Sequence, residues 1–243
     1  PKVLLGFNSD FSRTMAGGGG LPDGFDRWLL KFDLDSDYQH GKEEYAFSLM
    51  ARNAGIDMAE THLLECSNGM SHFLSKRFDR PGEARRHIHT YSGLTHTQLR
   101  DGVEYSQLMD LTRILTGGEL GVEEVFRRAC FNVLAGNDDD HAKNHAFLMQ
   151  PDGRWDLSPA YDLTSTTNPL ASGMRAASVN GKSVGVDRDD LRELGRSQSV
   201  RRIDEVIDQV IHSIKRWPEW ANQSGMSDYR IDQVADEMPG YAL

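Results

Sequence analysis

Short apolar runs dominate the first third of the chain, and three- and four-residue apolar spacing dominates most of the remainder. Lys2 to Gly6 predicts a short strand, and so does the compact run "RWLLKFD", Arg27 to Asp33, which carries a lysine. Between them, Ser9 to Gly24 contains Gly17-Gly18-Gly19-Gly20 and predicts a loop without regular structure. "KEEYAFSLMARNAGI" places apolar residues at Tyr45, Phe47, Leu49, Met50 and Ala54, the spacing of an amphipathic helix that ends near Gly55. "THLLEC" and "SHFLSKRF" are strand-like runs on either side of Ser67-Asn68-Gly69-Met70, where the Asn-Gly pair signals a hairpin.

After "RFDRPGE" the chain turns polar and histidine-containing to about Gly102. Helices are then expected at "YSQLMDLTRIL" and "GVEEVFRRACFNVLAG", followed by strand-like "HAFLMQ" and "RWDLSP" around Pro151-Asp152-Gly153. From Asp187 onward the pattern is helical, and the cluster Trp217-Pro218-Glu219-Trp220 reads as packing of the last helices. Strands first and helices later point to an α+β protein with a small sheet lobe and a larger helical lobe rather than an alternating βαβ fold. The change at Phe78 to Glu83 divides a β-rich unit, residues 1–80, from a mainly helical one, residues 81–243, and no internal repeat is present.

Composition narrows the class. A chain of 243 residues can bury the core of one large domain or two lobes, and its 38% hydrophobic and 26% charged residues are ordinary for a globular protein. No apolar run approaches the roughly 20 residues of a membrane helix. Cys66 and Cys130 are too few for a disulfide framework and read as reduced thiols, which places the protein in the cytoplasm. A formal charge of -10 argues against a broad nucleic-acid surface, leaving Lys76-Arg77 and Arg85-Arg86 as local basic patches. The chain opens inside a strand, so further sequence is expected upstream.

The candidate chemistry lies in "NVLAGNDDDHAKNHAFLMQ", Asn132 to Gln150, where three aspartates stand between apolar runs. An Asp with an Asn five positions on is the spacing of a phosphotransfer loop, in which the Asp is the base and the Asn holds magnesium. Asp139 meets that count with Asn144, whereas Asp138 reaches Lys143 and Asp140 reaches His145. Asp162 in "LSPAYDLTS" supplies a second acid to bridge magnesium and phosphates, and Lys31 supplies the strand lysine that offsets phosphate charge. Either Glu43 or Glu44 can orient Lys31, and Arg77 can bind Asp79. The bland alternatives are an acidic turn capping a helix that starts near His141, and a solvated or snorkelling Lys31. His141 and His145, four apart on such a helix, form a weak zinc candidate, while His87, His89 and His96 read as loop histidines.

"GNDDDHAKNHAF" followed by "LSPAYDLTS", with "KRFDR" upstream, resembles the HipA-type serine/threonine kinases of bacterial toxin–antitoxin modules, along essentially the whole chain. The resemblance implies a bilobal kinase-like fold that transfers the γ-phosphoryl of ATP, with Mg²⁺, to a serine or threonine of a protein substrate. It implies Asp139 as catalytic base, Asn144 and Asp162 as metal ligands, and Lys31 on the phosphates. His141, Ala142, Lys143, Asn144 and Tyr161 would line the nucleotide site, and Lys76, Arg77 and Phe78 match the inter-lobe hinge, where backbone groups meet adenine. A cognate DNA-binding antitoxin and translation components as targets are implied in the same way. The family's glycine-rich loop falls before this chain, with Lys2 as its last basic residue; Gly17 to Gly20 follow the first strand and do not replace it. The competing readings are a small-molecule phosphotransferase of the aminoglycoside-kinase type, whose His precedes the Asp where here it follows, a nucleotide- or partner-binding module without catalysis, and, more distantly, a metal-dependent hydrolase.

Overall fold

A computed structural model describes residues 1–34, 38–67, 69–98, 101–166 and 174–243. The first part of the chain builds β1 (Lys2–Asn8), β2 (Thr14–Ala16), β3 (Phe25–Lys31), helix α1 (His40–Asn53), β4 (Thr61–Glu65) and β5 (Ser71–Lys76). The five strands form one antiparallel sheet in the order β2-β1-β3-β5-β4. Strand periodicity sorts its side chains onto two faces. Phe7, Trp28, Leu30 and Leu74 make a small buried cluster on one face. Lys31 and Phe73, directly paired across β3 and β5, stand on the other, toward α1. Gly41 lets the start of α1 come against β5, since a Cβ there would lie 2.1 Å from the Ser71 carbonyl oxygen.

The loop expected from Ser9 to Gly24 contains β2, which pairs Thr14 to Ala16 with Phe7 to Leu5. All three β2 side chains are exposed, so this edge strand rests on backbone pairing and has no apolar alternation to reveal it. The Asn-Gly hairpin signal joins β4 and β5, which pair antiparallel; Asn68 itself lies outside the described residues.

The remainder contains β6 (Ile88–Thr90), α2 (Tyr91–Thr95), β7 (Val103–Glu104), α3 (Tyr105–Thr116), α4 (Glu119–Leu134), β8 (Ala146–Met149), β9 (Trp155–Leu157), β10 (Ala177–Ser178), α5 (Arg188–Ser197), α6 (Ile203–Lys215), α7 (Trp217–Gln223) and α8 (Asp228–Glu237). α4 is the buried spine of this lobe: Val125, Phe126, Ala129, Cys130 and Phe131 lose all contact with solvent. Burial pushes the Cys130 thiol up, so it packs as a small hydrophobe rather than reacting. Trp217 is also fully buried, edge-on to Phe47 of α1, and donates through Nε1 to the Ile231 carbonyl at 3.0 Å. Two small sheets sit beside the helices, β6-β8-β9 and a parallel β7-β10 pair. They draw the polar stretch before Gly102 into the structure and flank the segment from Asn137 to His145. The molecule is therefore α+β and bilobal, with a β-rich lobe preceding a larger helical one. Among the described residues no helix is long and apolar enough to cross a membrane.

Candidate active site

Lys31, the last residue of β3, ion-pairs with Glu44 of α1 and with Asp162 in the segment after β9. Adjacent residues on a helix point about 100° apart, and the two acids of α1 use that divergence. Glu44 meets Lys31, while Glu43 turns to Arg230 of α8 at 2.7 Å, which settles the choice between them. Burial pushes the Glu44 carboxyl up to about 7, with the Lys31 ammonium acting against it. Burial works against the charge on Lys31 as well, but Glu44 and Asp162 together hold its pKa above the usual lysine range. Burial opposes ionisation of Asp162 too, yet Lys31, and at longer range Lys2 and His141, hold its carboxyl below the usual range. Asp162 has φ of 60°, the left-handed region, which costs a non-glycine residue about 1 kcal/mol or more and concentrates where side chains are aimed for function. Lys2 lies directly across from Lys31 in the β1–β3 register, and both line a cavity of 320 Å³ with His40 and Glu44.

The aspartate run forms a loop between α4 and β8, not the start of a helix. His141 N–H donates to the Asp139 carbonyl at 2.8 Å and Asn144 N–H to the His141 carbonyl at 2.8 Å, which closes tight turns. Asn144 Nδ2 donates to the same Asp139 carbonyl at 2.9 Å, leaving its Oδ1 with no donor among the described residues. Asp139 is exposed, and its carboxylate has no ion pair among the described residues; its backbone N–H is fixed by Thr166 Oγ1 at 3.0 Å.

Its neighbours have another task. Asp140 is 1% exposed and accepts from Arg175 at 2.7 Å, Tyr105 Oη at 2.8 Å and Ala177 N–H at 3.0 Å. Arg175 also reaches Asp138 at 3.1 Å and the carbonyls of Asn132 and Asn137. Asn137 and Asn132 are joined side chain to side chain, and Asn137 Oδ1 accepts from Thr166 Oγ1 at 3.1 Å. Apart from the Asn132–Asn137 contact, five positions apart, the side-chain partners of Arg175, Tyr105, Asn132 and Thr166 lie 27 to 43 positions away, so no local spacing announces them.

Without a helix at His141, the two histidines do not share a helical face. His145 is buried edge-on to Tyr105, and burial lowers its pKa to about 4. Among the described residues no three His, Cys, Asp or Glu come together to hold a metal. The donors on offer are the Asp162 carboxylate and the Asn144 amide oxygen. Such hard oxygens, few in number, suit a magnesium ion that keeps waters and phosphate oxygens as its other ligands.

Tyr161 links the two clusters. It precedes Asp162, donates through its hydroxyl to the Lys143 carbonyl at 2.7 Å, and packs its ring 5.8 Å from Phe78. Lys143 is exposed, His141 is half-buried, and Ala142 is buried with its carbonyl taken by Ser92 N–H at 3.0 Å. Lys76 and Arg77 direct their side chains elsewhere: Lys76 pairs with Asp26 and Glu60 on the sheet face away from Lys31, and Arg77 grips Asp79 at 2.7 and 2.6 Å. The backbone runs on past Phe78 between the sheet and the helical lobe.

A family model described as the HipA-like C-terminal domain matches residues 1–218. A Sinorhizobium fredii protein named as a kinase is 31% identical over 212 residues, covering 78% of this chain and 50% of its own length. The HipA serine/threonine-protein kinase toxin of Shewanella oneidensis is 28% identical over 104 residues, 43% of this chain and 22% of its own length. The chain thus spans half or less of these relatives. The structure of the Shewanella oneidensis HipA, solved with HipB and operator DNA, superposes with a TM-score of 0.71 at 20% identity, covering 100% of this chain and 62% of that one.

Proposed function

This chain belongs to the HipA-like C-terminal domain family, and from that premise we propose that it transfers the γ-phosphoryl group of Mg·ATP to a serine or threonine hydroxyl of a protein. The observation that carries the proposal is Lys31 held between Glu44 and Asp162, with Asp162 joined through Tyr161 and Lys143 to the loop of Asp139 and Asn144. Residues 1–80 then form the lobe above the nucleotide and residues 81–243 the lobe that carries the loop. Lys31 places its ammonium on the α/β-phosphates, and Lys2 adds charge from the facing strand. Backbone groups at Lys76, Arg77 and Phe78 meet the adenine, and His141, Ala142, Lys143 and Tyr161 line the nucleotide.

Asp162 and Asn144 Oδ1 would hold Mg²⁺, which neutralises charge on the phosphates when bound. The exposed Asp139 carboxylate accepts the proton of the attacking hydroxyl. The hydroxyl oxygen bonds to the γ-phosphorus, the bond to the β-phosphate oxygen breaks, and ADP leaves. The family membership and the named relatives support a toxin role with a HipB-like antitoxin as partner. Two free thiols suit a reducing cytoplasm.

Calorimetry with Mg·ATP and phosphate gain by mass spectrometry test the proposal together. Asp162→Ala is expected to abolish nucleotide binding. Asp139→Asn is expected to keep binding and to lose about 10²–10⁴-fold in transfer. Binding without transfer to any protein by the unsubstituted chain would make it a nucleotide-binding module instead.

A further inference from the structure

The last helix lies beyond residue 218, where the family match ends, yet it and the residues beside it fasten α1, the segment after Asp162 and the end of α4. At its start, Arg230 donates to Glu43 Oε2 through Nη2 at 2.7 Å and Nε at 3.2 Å, with both residues buried. At its end, Glu237 accepts from Ser165 Oγ at 3.2 Å, three residues past Asp162. Gly240 N–H then donates to the Leu134 carbonyl at 2.7 Å, where α4 hands over to the Asp139 loop. A Cβ at Gly240 would lie 2.9 Å from that oxygen, so the close approach depends on glycine. Two further contacts hold the start of α1: Ser227 N–H donates to Gln39 Oε1 at 3.0 Å, and Lys42 Nζ to the Gly225 carbonyl at 2.8 Å.

Direction is what these contacts supply. Glu43 and Glu44 are consecutive, so fixing the azimuth of one fixes the other. Burial pushes the Glu43 carboxyl above its ordinary value, with the Arg230 guanidinium acting against it. We propose that α8 is a strap for the catalytic site, and that Arg230 is a positioning residue acting through Glu43 and α1 to hold Glu44 on Lys31. The purpose of the strap rests on the kinase function proposed above, whereas the contact it controls does not.

The test is the rate at which cyanate carbamylates Lys31 in the full chain, read by peptide mass spectrometry. Only the neutral amine reacts, and Glu44 and Asp162 favour the ammonium, so losing one of the two carboxylates is expected to raise the Lys31 rate about tenfold. Arg230→Met is expected to show that rise, Glu44→Ala the same rise, and the double variant no more than either. Arg230→Lys, which keeps the ion pair, is expected to stay near the unsubstituted rate. Lys76, on the opposite sheet face and paired with Asp26 and Glu60, is the internal control and keeps its rate. If Arg230→Met does not fold, replacing Arg230 and Glu43 together by Met makes the same comparison, since the contact is gone and no buried charge is left unpaired. An unchanged Lys31 rate in a folded variant overturns the strap, as do parallel rises at Lys31 and Lys76 or additive rises in the double variant. Shielding of Lys31 by Mg·ATP is scored separately: its absence with the Arg230 effect intact overturns the nucleotide role and leaves the strap standing.

Discussion

Arg175 contacts Asp138 and Asp140 and has no bond to the Asp139 side chain, so one guanidinium separates two anchored acids from an exposed one. Burial raises the Asp138 pKa with Arg175 acting against it, and Asp140 has traded water for three donors. Arg175→Ala strands a buried carboxylate and is expected to destabilise the fold by about 3–5 kcal/mol in urea unfolding. Adding Asp140→Asn to that variant should restore a large part of the loss, and no recovery would mean that Arg175 acts by packing alone. The neighbouring His145 gives a pH signature. Its folded pKa, about 4, lies below the unfolded 6.5, so between those values the unfolded chain binds more protons. Its contribution is therefore full above 6.5 and is lost as pH falls toward 4, by about 3 kcal/mol in all. His145→Asn should flatten the stability profile across that window relative to the unsubstituted protein, and equal slopes would remove His145 as the cause. The contact between Asp139 and Asn144 was legible because both lie on the same loop. The Asp140 contact was not, because Arg175 is 35 positions away.

At the scale of elements, sequence pattern succeeded where one face of an element is buried and failed where none is. β3, α1, β4, β5, α3 and α4 all carry apolar periodicity, and each falls within a few residues of its expected place. β2 shows no alternation, and the turn at His141 is closed by hydrogen bonds to the Asp139 carbonyl that no local pattern announces. The azimuth of α1 was equally hidden, since a helix read alone does not say which of Glu43 and Glu44 will face β3. That azimuth depends on how closely α1 approaches the sheet, which makes Gly41 informative. With a Cβ only 2.1 Å from the Ser71 carbonyl, Gly41→Ala must push the start of α1 off β5. The expected cost is about 1–3 kcal/mol in denaturant unfolding, and Lys31 should react faster as Glu44 withdraws. A stable variant with an unaltered Lys31 would show that α1 can slide without losing the ion pair.

Across the whole molecule, Lys31 belongs to the sheet lobe, whereas Asp162, Asn144 and Asp139 belong to the helical lobe. A nucleotide held from both sides would join the lobes and bind only where both are folded. At a concentration about 100 times its dissociation constant, such a ligand adds about 2.7 kcal/mol to the native state. For a chain of 243 residues that corresponds to a rise in Tm of about 5–10 °C. Asp162→Ala removes the proposed magnesium carboxylate and one of the two acids that fix Lys31, so its Tm should not respond to Mg·ATP. Asp139→Asn leaves both proposed binding groups in place and should keep the full rise, because the proposed base would contact the acceptor hydroxyl rather than the nucleotide. Scanning calorimetry of the three proteins with and without Mg·ATP therefore separates joining the lobes from catalysing transfer. An equal rise in Asp162→Ala would move the metal site away from Asp162, and no rise in any of the three would remove nucleotide as the ligand that joins the lobes.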